Sequence, residues 1–166
     1  MASHSSFERE IRSCRACPRL VAALAQHRLE FPQSHSAPVP ASGPTRARLL
    51  IIGLAPGRQG ANRTGRVFVG DASGRFLFHA LHHCGLASDP DPFSAKLIGV
   101  RITNVLKCWP PGNKPQIDEL QRCGTHLRQE LSMFWHAGVR QPRGVLCLGR
   151  IAHARTCAAL QTLLPT

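Results

Sequence analysis

Residues 48–54, RLLIIGL, form the stretch that decides the fold. An aliphatic run without polar alternation predicts a strand that is buried on both faces, as strands of parallel sheets are. Residues 97–105 and 144–148 predict two further strands, and helical patterns separate the three. This alternation of strand and helix predicts an α/β sandwich with a mostly parallel central sheet.

Four helical segments are predicted around these strands, at residues 6–28, 73–83, 115–135 and 151–163. Pro18 should interrupt the first segment, Ser73 should cap the second and Gly85 should end it. Helical periodicity assigns a set of apolar side chains to the core: Phe7, Ile11, Leu20, Val21, Leu24, Phe76, Leu77, Ala80, Leu81, Ile117, Leu120, Leu127 and Leu131.

Composition and charge favour a nucleic-acid partner. The 166 residues suffice for one domain, taken as 1–166, and Lys and Arg number 21 against 9 Asp and Glu, a net charge of +12. Such an excess attracts polyanions, with nucleic acid favoured over an anionic membrane surface. No apolar run is long enough to span a membrane and the N-terminal residues lack a secretory pattern, which predicts a cytoplasmic protein with reduced cysteines.

The seven cysteines fall into two groups. Cys14 and Cys17 form a C-x2-C pair, whereas Cys108 follows the second strand and Cys123 lies on the next helix. Two ligands close in sequence and two supplied by the fold can build a four-thiolate site, and spacing alone does not separate zinc from an iron-sulfur cluster. The alternative is a chance C-x2-C with two core thiols. The remaining cysteines, expected in the core, are Cys84, Cys147 and Cys157.

A long Gly-rich loop, residues 55–72, follows the first strand. A loop of this length inside a domain is usually functional, and its glycines permit close backbone approach to a ligand. Phe68 offers a flat stacking surface and Asp71 is the only carboxylate. The loop carries three arginines suited to phosphates, which are Arg58, Arg63 and Arg66. Such a set could hold a base and its phosphates, although a structural loop with solvated arginines is the alternative.

Asn104 lies near the end of the second strand, where α/β folds place ligands. Its side chain offers one acceptor and two donors, which match the N3–H and O4 edge of uracil and mismatch the reversed edge of cytosine. Taken in isolation, the residue is better explained as a turn-forming asparagine.

Together these segments resemble one family. The order C-x2-C, PVP, RLLIIGLAPG-x2-GANRTGR-x-F-x-GDAS, TNVLKC-x-PP-x-NKP, a fourth Cys and LG-x2-A is similar to the type b (family 5) iron-sulfur uracil-DNA glycosylases over roughly residues 10–155. The resemblance implies a three-layer α/β/α sandwich and a [4Fe-4S] cluster on Cys14, Cys17, Cys108 and Cys123. It also implies a monomeric bacterial enzyme, nucleoid-associated through DNA, that hydrolyses the N-glycosidic bond of uracil and other deaminated bases in DNA.

The resemblance also implies roles for individual residues. Phe68 would stack on the extruded base and Asn104 would read its edge. Close family 4 relatives have an acidic residue at the position of Leu54, so the catalytic carboxylate falls to Asp71. Asp71 and Asn104 are thus the expected catalytic residues, and the expected substrate-binding residues are Gly53, Ala55, Gly60, Asn62, Arg63, Phe68 and Asn104.

One departure from the family pattern shapes a further expectation. Members carry a second catalytic motif, His-Pro-Ser, after a further strand, and His153 in IAHART does not match it. We therefore expect a C-terminally truncated domain that lacks this strand and cuts weakly, without a Schiff-base lysine, leaving an abasic site. The alternatives are a catalytically impaired, iron-sulfur-bearing DNA-binding remnant and a zinc-binding nucleic-acid module.

Overall fold

A computed structural model describes residues 4–136 and 143–163, and within them three strands form one parallel sheet. The strands are β1 (Leu49–Gly53), β2 (Val100–Asn104) and β3 (Gly144–Cys147), in the order β2-β1-β3. β1 is therefore central, which fits its unbroken aliphatic sequence, and the predicted parallel sheet is confirmed. The β1–β2 register pairs Gly53 with Asn104, so both strands end at the same edge of the sheet.

In the part of the chain that the structure describes, six α-helices accompany the sheet: α1 (His4–Ser13), α2 (Pro18–Glu30), α3 (Ala61–Thr64), α4 (Ala72–His83), α5 (Ile117–Trp135) and α6 (Arg150–Leu163). Pro18 interrupts the first predicted segment, and it does so by occupying the first turn of α2, where its missing N–H costs nothing. The short helix α3 within the Gly-rich loop was not predicted. The helices described here include none with the length and apolar character needed to cross a membrane.

The two faces of the sheet bury separate cores, which makes the sandwich three-layered. Ile51 and Ile102 point to one face and pack with α4 through Leu77, Phe78 and Leu81. On the other face, side chains of α5 and α6 join those of β1 in a second core, formed by Leu50, Ile52, Leu127, Leu131, Phe134, Ala152 and Ala159. Alternate residues of β1 thus face opposite layers, as the two-residue period of a strand requires.

Several details of the helix predictions were wrong. Asp71, not Ser73, is the N-cap of α4, because the helix begins at Ala72 and the Asp71 side chain accepts a bond from the Gly74 N–H. Phe76 is 80% exposed and Ala80 is also exposed, since the inward stripe of α4 runs through Leu77, Phe78 and Leu81. Ile117 is exposed because it lies off the buried face of α5, which begins with Glu119 and Cys123.

The assignment of three cysteines to the core was mostly wrong. Cys84 is exposed because it is the C-cap of α4, and Cys157 is exposed on α6, where its Sγ lies 3.6 Å from His153 Nε2. Cys147 is half-buried and packs against the second core from β3. An apolar sequence neighbourhood therefore did not indicate burial at the two helical positions.

Candidate active site

A cleft of about 520 Å³ opens where β1 and β2 end. The main-chain pairing of these strands continues beyond their ends, because the N–H groups of Val105 and Leu106 donate to the carbonyls of Gly53 and Leu54. The Gly-rich loop and the start of α4 complete the walls. Among the sequence-predicted residues, the cleft is lined by Ala55, Gly60, Phe68, Asp71 and Asn104. Side chains distant in sequence thus meet at the sheet edge that α/β folds use for ligands.

Asn104 presents an unpaired acceptor at this cleft. The residue is 3% exposed, and its Oδ1 has no hydrogen-bond partner within residues 4–136 and 143–163. A buried polar atom without a partner costs about 1–3 kcal/mol, so native proteins rarely keep one without a purpose. The cleft therefore offers a hydrogen-bond acceptor that a ligand with an N–H group would satisfy.

Gly53 supports this arrangement from behind. A Cβ added to Gly53 would lie 2.5 Å from Asn104 Oδ1 and 2.7 Å from the edge of the Phe68 ring. Any larger residue would therefore push both side chains out of place. Gly53 is not part of the cleft lining but packs behind Asn104 and Phe68, and its role in binding stays a prediction.

Phe68 is held beside Asn104 by an unusual backbone conformation. Its φ is +57°, in the left-handed region that costs a non-glycine residue of order 1–3 kcal/mol. The fully buried neighbours Val67 and Val69 anchor the loop on both sides and keep the Phe68 ring at the cleft. Strain of this kind is typically retained at functional sites.

The two carboxylate oxygens of Asp71 have different surroundings. Oδ1 accepts a 2.9 Å bond from the Gly74 N–H and caps α4. Oδ2 lies against Gly57 and Gly60, where a Cβ on Gly60 would overlap with it. Because Asp71 also lines the cleft, the helix cap fixes a carboxylate whose second oxygen stands beside the ligand space.

A buried ion pair fixes the backbone that carries Asn104. Lys107 is 1% exposed, and its Nζ donates to Glu130 Oε2 at 2.6 Å, Thr103 Oγ1 at 2.7 Å and the Asn104 carbonyl at 2.7 Å. Glu130 also accepts from the Thr103 hydroxyl. Sequence reasoning missed this network because Glu130 is far away in the chain and its helical position resembles an ordinary surface position.

The three loop arginines are exposed, and each has an internal partner. Arg58 lines the cleft and pairs with Glu30 at 3.2 Å. Arg63 Nε donates to the Gln59 carbonyl and Arg66 to the Phe93 carbonyl. Arg63 is not part of the cleft lining. Their charges face solvent near the cleft, but only Arg58 borders the ligand space itself.

Asn62 lies behind the loop and not in the cleft. It is fully buried, and its Nδ2 lies 3.3 Å from Nδ1 of His27, which also contacts the Ser36 hydroxyl at 2.8 Å. Burial, and secondarily the nearby Arg58 charge, lowers the pKa of His27. A neutral imidazole suits this dry position. Asn62 therefore does not line the cleft, and its contact with a ligand stays a prediction.

Four cysteines from different segments line one small cavity beside the cleft. Cys14 and Cys17 come from the α1–α2 connection, Cys108 follows β2, and Cys123 lies on α5. Cys17, Cys123 and Cys108 pack in one apolar cluster, and Ala55 joins that cluster to the cleft wall. The sequence-predicted quartet is thus brought together, whereas Cys84, Cys147 and Cys157 lie outside this cavity.

The protonation of these thiols reflects their burial first and their proximity second. Burial, reinforced by the neighbouring thiols of Cys123, Cys14 and Cys17, strongly raises the pKa of Cys108. Burial likewise raises the pKa of Cys123 to about 11, although the Lys107 charge opposes the shift. No group of three or more His, Cys, Asp or Glu in the described parts of the chain is close enough to hold a single metal ion.

Comparison with known proteins yields consistent matches. The family described as the uracil DNA glycosylase superfamily matches residues 40–165. A type-5 uracil-DNA glycosylase of Thermus thermophilus is 41% identical over 155 residues, which cover 89% of this chain and 68% of that protein. A type-5 enzyme of Pyrobaculum aerophilum is 38% identical over 90% of this chain and 67% of its own length. A type-4 uracil-DNA glycosylase of Archaeoglobus fulgidus is 33% identical over 92% of this chain and 62% of its own length.

Proposed function

The chain belongs to the uracil DNA glycosylase superfamily, and from this premise we propose that its cleft removes uracil from DNA by hydrolysing the N-glycosidic bond. The observation that carries the proposal is the buried, unpaired Oδ1 of Asn104 beside the Phe68 ring. The relatives named as uracil-DNA glycosylases support the choice of substrate. Related deaminated bases with the same hydrogen-bonding edge are included in the proposal.

Asn104 would select the base by its edge. Oδ1 would accept from N3–H of uracil while Nδ2 donates to O4, and cytosine presents the reverse pattern. In cytosine the N3 lone pair would face Oδ1, so the buried acceptor would stay unpaired. Phe68 would stack on the base that Asn104 reads.

Cleavage of the glycosidic bond requires that the base has left the base stack of the DNA and that a carboxylate lies near the sugar. Extrusion of a base costs a few kcal/mol, which binding to the cleft and to the phosphates must offset. As the C1′–N1 bond breaks, the uracil leaves with the bonding electron pair and the sugar gains positive charge. Asp71 Oδ2 would stabilise that charge and orient the water whose oxygen bonds to C1′. The proton that this water loses would neutralise the departing uracil anion.

The direct test compares single strands and duplexes that carry uracil or cytosine at one position. We expect free uracil and an alkali-labile abasic site from the uracil strands, and neither product from the cytosine strands. DNA binding without any base release would refute the proposed activity. Equal release of uracil and cytosine would refute the role of the Asn104 edge.

We further propose that Cys14, Cys17, Cys108 and Cys123 hold a [4Fe-4S] cluster. Four thiols around one small apolar cavity fit the donor set of such a cluster, which takes one thiolate per iron. The cluster would join α2, β2 and α5, and thereby support folding.

Metal content provides a prediction for this site. Protein purified without oxygen should be brown and contain about four irons per chain. Cys108→Ser should lose most of the iron because the cavity would keep only three thiolates, whereas Cys84→Ser should retain it because Cys84 is exposed and outside the cavity. One stoichiometric zinc in a colourless protein would contradict the assignment.

DNA affinity should depend steeply on salt. The net charge of +12 and the exposed arginines would release counterions from the phosphates, so affinity for uracil-free duplex should fall at least about tenfold between roughly 50 and 200 mM salt. Arg63→Gln should flatten the logarithmic salt slope by about 0.9 per lost phosphate contact. A flat salt response of the unaltered chain would show that charge does not drive binding.

A further inference from the structure

An exposed group of aromatic rings borders the cleft without being part of it. Phe31 follows α2 and is 43% exposed, and Trp109 is half-buried and directly precedes Pro110, a cleft residue. Arg58 joins the two rings, with its Cζ 5.3 Å from the Phe31 centroid and 5.8 Å from the Trp109 centroid. We call Phe31, Arg58 and Trp109 the aromatic platform.

The aromatic platform is held in place by the buried His27 ring. The buried His27 ring contacts both aromatic rings, with centroid distances of 4.9 Å to Phe31 and 5.5 Å to Trp109. The Phe31 N–H donates to the His27 carbonyl at 2.9 Å, which fixes the end of α2. His27 is itself held by the Ser36 hydroxyl at 2.8 Å. Rings held in this way lose little conformational freedom when a ligand stacks on them.

The chemistry of the platform suits a nucleotide. Aromatic rings stack on bases of any identity, and an arginine among them can serve both the base and its phosphate. Arg58 belongs to the cleft and to the platform, so a strand whose target base occupies the cleft would bring its next nucleotide over these rings. The net charge of +12 favours the same partner.

We propose that the aromatic platform stacks on the base of the nucleotide that adjoins the extruded one. A base on Phe31 cannot remain paired and stacked in a duplex, so the occupant is unpaired, single-stranded DNA. This placement rests on the proposed function only in assigning DNA to the cleft. Arg58 exchanges its partner in the process, leaving the Glu30 carboxylate for the phosphate of the stacked nucleotide.

The exchange of Arg58 partners costs little. The side chains of Arg58 and Glu30 are 44% and 45% exposed, and exposed ion pairs of this kind contribute little to stability. A phosphate can accept two parallel hydrogen bonds from the same guanidinium. The Glu30 carboxylate therefore pairs with Arg58 in the absence of DNA and repels the phosphates of an approaching strand. Removal of its negative charge should strengthen DNA binding.

The test uses the full chain and two uracil-free ligands, a short oligothymidylate and a strand of equal length whose sugars carry no bases. The unaltered chain should prefer the base-carrying strand. Phe31→Ala should reduce that preference by about tenfold, because stacking acts only on the strand with bases. Phe31→Trp should preserve the preference, and so should Phe93→Ala, an exposed phenylalanine outside the cleft.

A second variant tests the exchange of partners. Glu30→Gln should increase the affinity for both strands. It should also steepen the logarithmic salt slope of that affinity by roughly 0.7, the value for one added phosphate contact to a single strand. The proposal is overturned if Phe31→Ala, with an unchanged melting temperature, lowers the affinity for both strands equally or for neither. Because neither ligand contains uracil, this result is independent of base excision.

Discussion

Asn104→Ala should lower the single-turnover rate of uracil excision at least about a thousandfold, with little change in affinity for uracil-free DNA. The alanine removes the groups that would pair with the uracil edge, and a site built to hydrogen-bond a substrate loses about 10⁴–10⁵ in discrimination without that pairing. The position of Asn104 at the end of β2, with its main chain held by Lys107, should keep the fold intact.

The matched comparison for this prediction is Asn62→Ala. Asn62 is also buried with an unpaired Oδ1, but it lies among His27 and Ser36 behind the loop and does not line the cleft. Its replacement should lower the melting temperature, with excision reduced far less than in Asn104→Ala. Equal losses of excision from the two variants, or equal losses of binding and excision in Asn104→Ala, would contradict the assignment.

Asp71→Asn should lower the single-turnover rate by about 10²–10³ while leaving the melting temperature nearly unchanged. The amide keeps the bond to the Gly74 N–H, because asparagine caps helices about as well as aspartate. It removes the negative charge beside Gly60 that would stabilise the developing positive charge on the sugar, and groups of this kind contribute about that factor.

Asp71→Ala separates the two roles of this carboxylate. It should lose the same activity and, in addition, about 1 kcal/mol of stability through the lost cap. Thermal melting and single-turnover excision, measured on both variants, distinguish these effects. An Asp71→Asn variant that is fully active would show that the carboxylate is only a helix cap.

The elements around the sheet could be predicted from the sequence because their patterns are local. The short aliphatic run around Ile51 indicates a strand that is buried on both faces. Pro18 can occupy the first turn of a helix but not its interior. The end of α4 and the placement of Asn104 at the sheet edge follow from equally local signals. These features position the cleft, so its location could also be predicted.

Features that depend on distant contacts could not be predicted. Lys107 is fully buried only because Glu130 faces it from α5, and nothing near either residue reveals the other. Arg58 was expected to face phosphates, and its contacts with Phe31 and Trp109 arise from three separate segments. The unpaired Oδ1 of Asn104 likewise emerges only when the surrounding loops are in place.

Local rules also failed where two residues compete for one role. Asp71 and Ser73 are both good helix caps, and the backbone of the loop decides between them by starting α4 at Ala72. Phe76 is as apolar as Phe78, but only one of them can lie on the inward stripe of α4. The exposure of Phe76 could therefore be known only from the rotation of the helix.

The most direct test of base removal by hydrolysis identifies both products. A single-stranded oligonucleotide with one uracil is incubated with the chain, and the products are identified by mass spectrometry. We predict free uracil together with an uncut strand in which a hydroxyl group replaces the uracil. An unchanged strand, or a strand broken at the uracil position, would contradict the account.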